Sequence, residues 1–268
     1  MAALKLGSNA PRATHFGTCF RGTAPSLHGM LMLCLSVGCS VDDPPATTGG
    51  TDLQSGTCGR GVVVVNTDYQ STNVSLVSLT GDVLSSSFIS SGSGATELSS
   101  PLGSDVTLPT QRQDGDKIVL LDRYPASVLT WVHVQSADVV GQLSVATGFA
   151  SNPRDMLRLS DNKAYVTRYE PNLDSGHEPF DGGNDVLIVD PSARSITGRI
   201  DVQSAMAGEA EKYFARPDKM LWVRDRVYVL LGGYTGDFLS SAHSRVITID
   251  PTSDEIVGVL ELEGMRGC

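Results

Sequence analysis

The chain has 268 residues, enough for one large domain, and with 40% hydrophobic residues it belongs among chains that fold around a buried core. Its 30 acidic residues against 20 Lys and Arg give a net charge of −10. That balance excludes a nucleic-acid partner held through its phosphates, and an acidic surface serves solubility or draws cations.

Residues 1–38 read as a signal peptide. They carry Lys5, Arg12 and Arg21 and no acid, and lead into the apolar run His28 to Cys39, which is too short to span a bilayer. The end of that run, Leu35-Ser36-Val37-Gly38-Cys39, is similar to a bacterial lipoprotein signal, which implies lipidation at Cys39. An ordinary secretory leader cleaved nearby is the other reading. Either one places the protein in the bacterial cell envelope, as an outer-membrane or surface lipoprotein or as a periplasmic or secreted protein. Residues 39–58 then form a flexible tether rich in Thr, Gly, Pro and Asp, so any membrane attachment runs through the lipid alone. Cys58 and Cys268 are the two cysteines left for a disulfide outside the cytoplasm.

From residue 59 onward a unit of short strands recurs. One strand reads GVVVVN from Gly61, DKIVLLD from Asp116, NKAYVT from Asn162 and DRVYVLL from Asp225. The next strand is centred on Val74, Leu129, Val186 and Val246, at intervals of 55, 57 and 60 residues. A third strand closes each copy, from Gly81, Asp138, Ser195 and Glu255. Between copies lie SDVTL from Ser104, PRDMLRL from Pro153 and PDKMLWV from Pro217, read as short apolar inner strands lining a central channel. Alternating β-branched and aromatic residues bounded by Asp, Asn, Gly and Pro mark antiparallel meanders. A period of this length marks stacked copies of one unit. Ala205 to Phe214 is the one stretch expected to make a helical turn or two.

The fold expected over 59–268 is therefore all-β, a partial β-propeller of about three four-stranded blades and a three-stranded piece. Ala164 to Tyr169 (AYVTRY), Asp185 to Val202 and Val246 to Leu262 resemble the YVTN-type repeat of secreted β-propeller proteins, and more closely the propeller-bearing lipoproteins of myxobacteria. Propellers close with about four to eight blades, so the expectation is a fragment or an open arc prone to self-association through its exposed edge.

Each copy places a tyrosine after its first long strand: Tyr69, Tyr124, Tyr169 and Tyr234. With Arg123, Arg168 and Glu170, and Asp68 and Asp122 beside them, they are expected to ring one mouth of the channel and bind a protein or carbohydrate, or else to pack between blades. Asp174, Asp181 and Asp185 crowd one Gly-rich loop whose oxygens suit calcium, although the spacing of a known calcium loop is absent. His177 and His243 fall in long loops without a third zinc ligand. No catalytic motif appears, so the reading is a non-catalytic binding module without a cofactor. The alternative is a propeller lactonase or quinoprotein-type dehydrogenase using Asp122 or Glu170 with calcium.

Overall fold

The computed structural model describes residues 61–93, 98–113 and 115–268. Cys39, the tether and Cys58 fall outside the described residues, and so does the pairing of Cys58 with Cys268; Cys268 itself is exposed. Among the described residues no helix is long and apolar enough to cross a membrane.

The strands form successive antiparallel sheets in chain order. The first sheet is β1 (Gly61–Thr67), β2 (Thr72–Ser78) and β3 (Val83–Ser90). The second is β4 (Val106–Thr107), β5 (Lys117–Asp122), β6 (Val128–His133) and β7 (Val139–Ser144). The third is β8 (Pro153–Arg158), β9 (Ala164–Pro171), β10 (Gly183–Asp190) and β11 (Ser195–Asp201). A ribbon of β12 (Tyr213–Phe214) and β15 (Tyr234–Thr235) accompanies the fourth sheet, which is β13 (Pro217–Val223), β14 (Arg226–Leu231), β16 (His243–Asp250) and β17 (Glu255–Arg266). The described residues are all-β, with three four-stranded meanders and one three-stranded sheet stacked as propeller blades, as the repeat predicts.

Alternation of side chains across each strand gives every inner sheet two apolar faces. One core cluster joins the first and second sheets through Val74, Leu76, Ile118 and Leu120. A second joins the second and third through Leu121, Leu129, Val166 and Leu187. A third joins the third and fourth through Leu157, Tyr165, Val229 and Ile247. Polar ties reinforce the last junction: Lys163 Nζ donates to Pro251 O at 2.8 Å and to Asp254 Oδ2 at 2.9 Å, and the Tyr165 hydroxyl donates to Asp254.

Two expectations need correction. Ala205 to Phe214 does not continue as a helix. The 3-10 turn covers Gln203–Met206, Gly208 takes φ +93°, and Tyr213–Phe214 joins a strand pair instead. The inner strands are not simply apolar. Met156 and Met220 point into the core, while Arg154 and Asp218, at matching positions of β8 and β13, form an ion pair (Nε to Oδ1, 3.4 Å) between the two strands. The same strands are joined by Asp155, whose Oδ1 accepts from the backbone N–H of Thr110 (2.8 Å) and Met156 (2.9 Å) and whose Oδ2 accepts from Met220 N (2.9 Å).

Candidate functional site

Topology gathers at one end of the stack the turns joining the second and third strands of each four-stranded sheet and β1 to β2 of the first, together with the segments that enter the next sheet. Those entering segments run along the neighbour's turn. The Thr67 hydroxyl donates to Ser104 O, Ser151 N donates to Ser127 Oγ at 2.9 Å, and Arg216 N donates to Asn184 Oδ1 at 2.6 Å.

The four tyrosines do not occupy one ladder position. Val65, Leu121, Thr167 and Leu230 pair with the equivalent residues Val74, Leu129, Val186 and Val246. Counted from them, the tyrosines come four, three, two and four residues later. Only Tyr169 therefore falls inside its strand, where it is buried; Tyr69 (77% exposed) and Tyr124 (56%) project from their turns. The structure brings Tyr169 and Tyr234 together and leaves the other two apart.

What joins them is Phe238, from the turn after β15. Its ring stacks on Tyr169 at 6.1 Å and 6°, and meets Tyr234 at 5.7 Å and 52°. The Tyr234 hydroxyl donates to Gly267 O at 2.6 Å. Beneath lies Arg216, 1% exposed, with its guanidinium 3.9 Å from the Phe238 centroid, 5.2 Å from Tyr169 and 5.9 Å from Phe214. Such cation–π contacts strengthen where water is excluded. Arg216 Nη1 donates to Glu170 Oε2 at 2.6 Å and Nη2 to the carbonyls of Thr235 (3.3 Å) and Gly236 (3.4 Å); Nε is buried without a hydrogen-bond partner among the described residues. Arg154 also lies over Tyr169, 4.7 Å from its centroid. Burial raises the Tyr169 hydroxyl to about 12 against the pull of Arg154 and Arg216, so the ring is neutral in any physiological medium. Arg216 (φ 51°) and Phe238 (φ 62°) both sit in the left-handed region, a conformation bulky residues hold only under outside constraint. The Phe238 turn is fixed by Asp237, which accepts from Thr235 Oγ1 (2.6 Å) and Leu239 N (3.0 Å); these bonds lower its carboxyl pKa.

Of the charged residues expected at this mouth, Glu170 joins the cluster through Arg216, while Arg168, Arg123 and Asp122 are held by other partners. Arg168 is fully buried and all its N–H groups are engaged. Nε and Nη2 hold Asp185 bidentately (2.8 and 2.7 Å), Nη1 reaches Val145 O and Thr147 Oγ1, and Nη2 also reaches Phe180 O. Arg123 pairs with Asp105, and Asp122, 2% exposed, accepts from Gly103 N. Burial raises the Asp122 carboxyl pKa.

The loop crowded with carboxylates is likewise tied internally. Asp185 lies between Arg168 at 2.7 Å and Arg199 at 3.3 Å, so its charge is met by two cations. Asp174 is exposed beside His177 (3.2 Å). Asp181 Oδ2 accepts from the backbone N–H of Gly176 (2.8 Å), His177 (2.8 Å) and Glu178 (3.0 Å), and these donors hold its carboxyl at about 2, below its ordinary 3.8. A depressed carboxyl stabilises the fold above 3.8 and loses that contribution as pH falls toward 2. Protection of the Gly176, His177 and Glu178 amides, taken relative to the intrinsic exchange rate at each pH, is therefore expected to fall across that window, and at neutral pH in Asp181→Asn; hydrogen–deuterium exchange with mass spectrometry measures both.

His243 lies in β16, not in a loop, and does not meet His177. It pairs with Glu261 at 2.9 Å, and with Glu209 these three could offer a metal ligand atoms within 4.8 Å of one another. Arg245 already occupies the gap, with Nη2 at 3.1 Å from Glu209 and 2.9 Å from Glu261, so the carboxylates have their countercharge. Arg245, followed by His243, lowers the Glu261 carboxyl pKa.

Reading the sequence missed Arg216 and Phe238. The available signals were the Arg-Pro step opening an inner strand and the aromatic in Gly236-Asp237-Phe238, within the long loop after Tyr234.

No family model and no curated protein matches the chain. Among solved structures it is similar to BamB from Moraxella catarrhalis, with 14% identity and a TM-score of 0.43, over 82% of this chain and 54% of that one. It is also similar to the dihydro-heme d1 dehydrogenase NirN, with 14% identity and TM-score 0.41, over 76% of this chain and 38% of that one. Apo AztD from Citrobacter koseri shows 13% identity and TM-score 0.40, over 81% of this chain and 47% of that one. The chain spans about half of these structures or less.

Proposed function

We propose that the protein is a non-catalytic binding module of the bacterial envelope that docks another protein against the end of the stack bearing the tyrosines. One observation carries the reading. Each of the four turns there presents a large apolar side chain to solvent: Tyr69 (77% exposed), Tyr124 (56%), Leu173 (82%), and Phe238 (46%) with Leu239 (86%). Exposed apolar groups clustered on one face mark interaction sites. Aromatic rings alone would equally suit stacking on a sugar, whereas Leu173 and Leu239 offer a sugar hydroxyl nothing and favour a protein. Behind them the buried Arg216 and Tyr169 back the exposed Phe238 ring, and Tyr and Arg are residue types that dominate binding energy. Glu170 and Asp122, which the enzyme alternative would use, are paired or buried. Anchoring through Cys39 and membership of the YVTN-type propellers are parts of this proposal that rest on the sequence.

A photo-crosslinking amino acid placed at Leu173 or Leu239 is expected to trap one reproducible protein adduct in the envelope, and none when placed at Thr252 or Ser192, turns at the opposite end. Equal adducts from both ends, or a glycan-array signal abolished by Tyr69→Ala, would replace this reading.

A further inference from the structure

The outward face of the fourth sheet repeats, position by position, the face by which the third sheet grips the fourth. Leu221 pairs with Tyr228 as Leu157 pairs with Tyr165, and Val246 pairs with Leu260 as Val186 pairs with Ile200. In the third sheet these four residues are at most 6% exposed; in the fourth, Leu221 (58%), Tyr228 (37%) and Leu260 (62%) face solvent. Arg226 stands where Lys163 stands, two residues before the tyrosine, so the cation and hydroxyl that hold Asp254 are both reproduced.

The first sheet carries the matching counterpart. Val62, Val77 and Val83 are paired across β1, β2 and β3 in the places where Val227, Ile249 and Ile256 of the fourth sheet pack on the third. Val62 (49%) and Val83 (65%) are exposed. The outer turn of this sheet presents Asp82 immediately before Val83, in the region where Asp254 precedes Ile256 in the fourth. A valine row with an acid at its rim meets a Leu–Tyr row with an arginine at its rim, so apolar area and charge are both complementary.

We infer that the fourth sheet of one copy docks on the first sheet of a second copy, and reciprocally, closing a two-chain ring of eight sheets. A head-to-tail contact must close or polymerise, and eight blades lie within the range in which propellers close. The surface used is separate from the turns of the proposed partner site, so either idea can fail alone.

The experiment is sedimentation velocity with light scattering on the purified full chain at about 50 µM, where an association tighter than micromolar is populated. The wild type is expected at twice the chain mass. Tyr228→Asp and Val62→Asp should each halve it with unchanged circular dichroism, since both positions are exposed. An equimolar mixture of the two, each keeping one good face, should return an open dimer. Arg226→Glu should weaken dimerisation at least tenfold, and adding Asp82→Arg should restore it. A wild-type monomer, an open polymer, or a dimer insensitive to Val62→Asp overturns the inference, the last by showing that fourth sheets pair with each other.

Discussion

Asp185→Ala is expected to lower the unfolding free energy by about 3–5 kcal/mol, because it leaves the Arg168 guanidinium buried without its countercharge. Both side chains are fully buried, and the pair ties β9 to β10. Arg168 also reaches Val145 and Thr147 after β7, so a single residue binds the second and third sheets. Arg168→Met should cost a comparable amount, since Asp185 keeps only Arg199, while Val145 O, Thr147 Oγ1 and Phe180 O each lose one of their hydrogen bonds. The double variant Arg168→Met with Asp185→Leu should be less damaging than the sum of the singles, as it removes both charges together. Urea unfolding of the purified variants measures all of these; strict additivity would show that the pair is uncoupled.

Asp155→Asn should cost about 1–3 kcal/mol through a different mechanism. The carboxylate accepts three backbone N–H groups from three sheets' worth of chain: Thr110 leaving β4, Met156 in β8 and Met220 in β13. Asn keeps the size but has one acceptor oxygen, so an N–H of the amide must face an N–H of the backbone, and a buried unsatisfied donor costs about 1–3 kcal/mol. Burial is the largest influence on this carboxyl and raises its pKa, against the opposing pull of Thr110, Met220 and Lys219. Asp155→Ala should be no better, since it orphans all three donors. Thermal unfolding followed by circular dichroism would reveal the loss, and a shift no larger than that of an exposed control such as Asp161→Asn would refute the hub.

The strands were legible because each carries its own signal, alternation bounded by turn residues, and because the copies corroborate one another. Val74, Leu129, Val186 and Val246 are recognisable as equivalents from their neighbours, and the ladders bear them out. The turns were harder. A tyrosine near the same landmark in four copies looks like a ring, yet turn length decides where it points, and one extra residue in a strand reverses its face. Tyr169 is buried because its strand runs on to Pro171, whereas β1 ends at Thr67 and leaves Tyr69 exposed in the turn. The pairing of the charged residues was illegible for a related reason. Arg168 and Asp185 are seventeen residues apart, and nothing in a single sequence says that a bidentate pair will form and remove both from solvent. Phe238 was illegible because its role depends on a positive φ and on Arg216, which arrives from another element.

The ladders within each sheet connect residues close in sequence, whereas Lys163 reaches Asp254 across 91 positions. A growing polypeptide can thus complete every hairpin as it is synthesised, and the clasp between neighbouring meanders fastens only after the whole of the later one exists. Until then Tyr165 waits on an uncovered surface, which makes the interval between the two synthesis events the moment when this molecule most needs protection from its own kind.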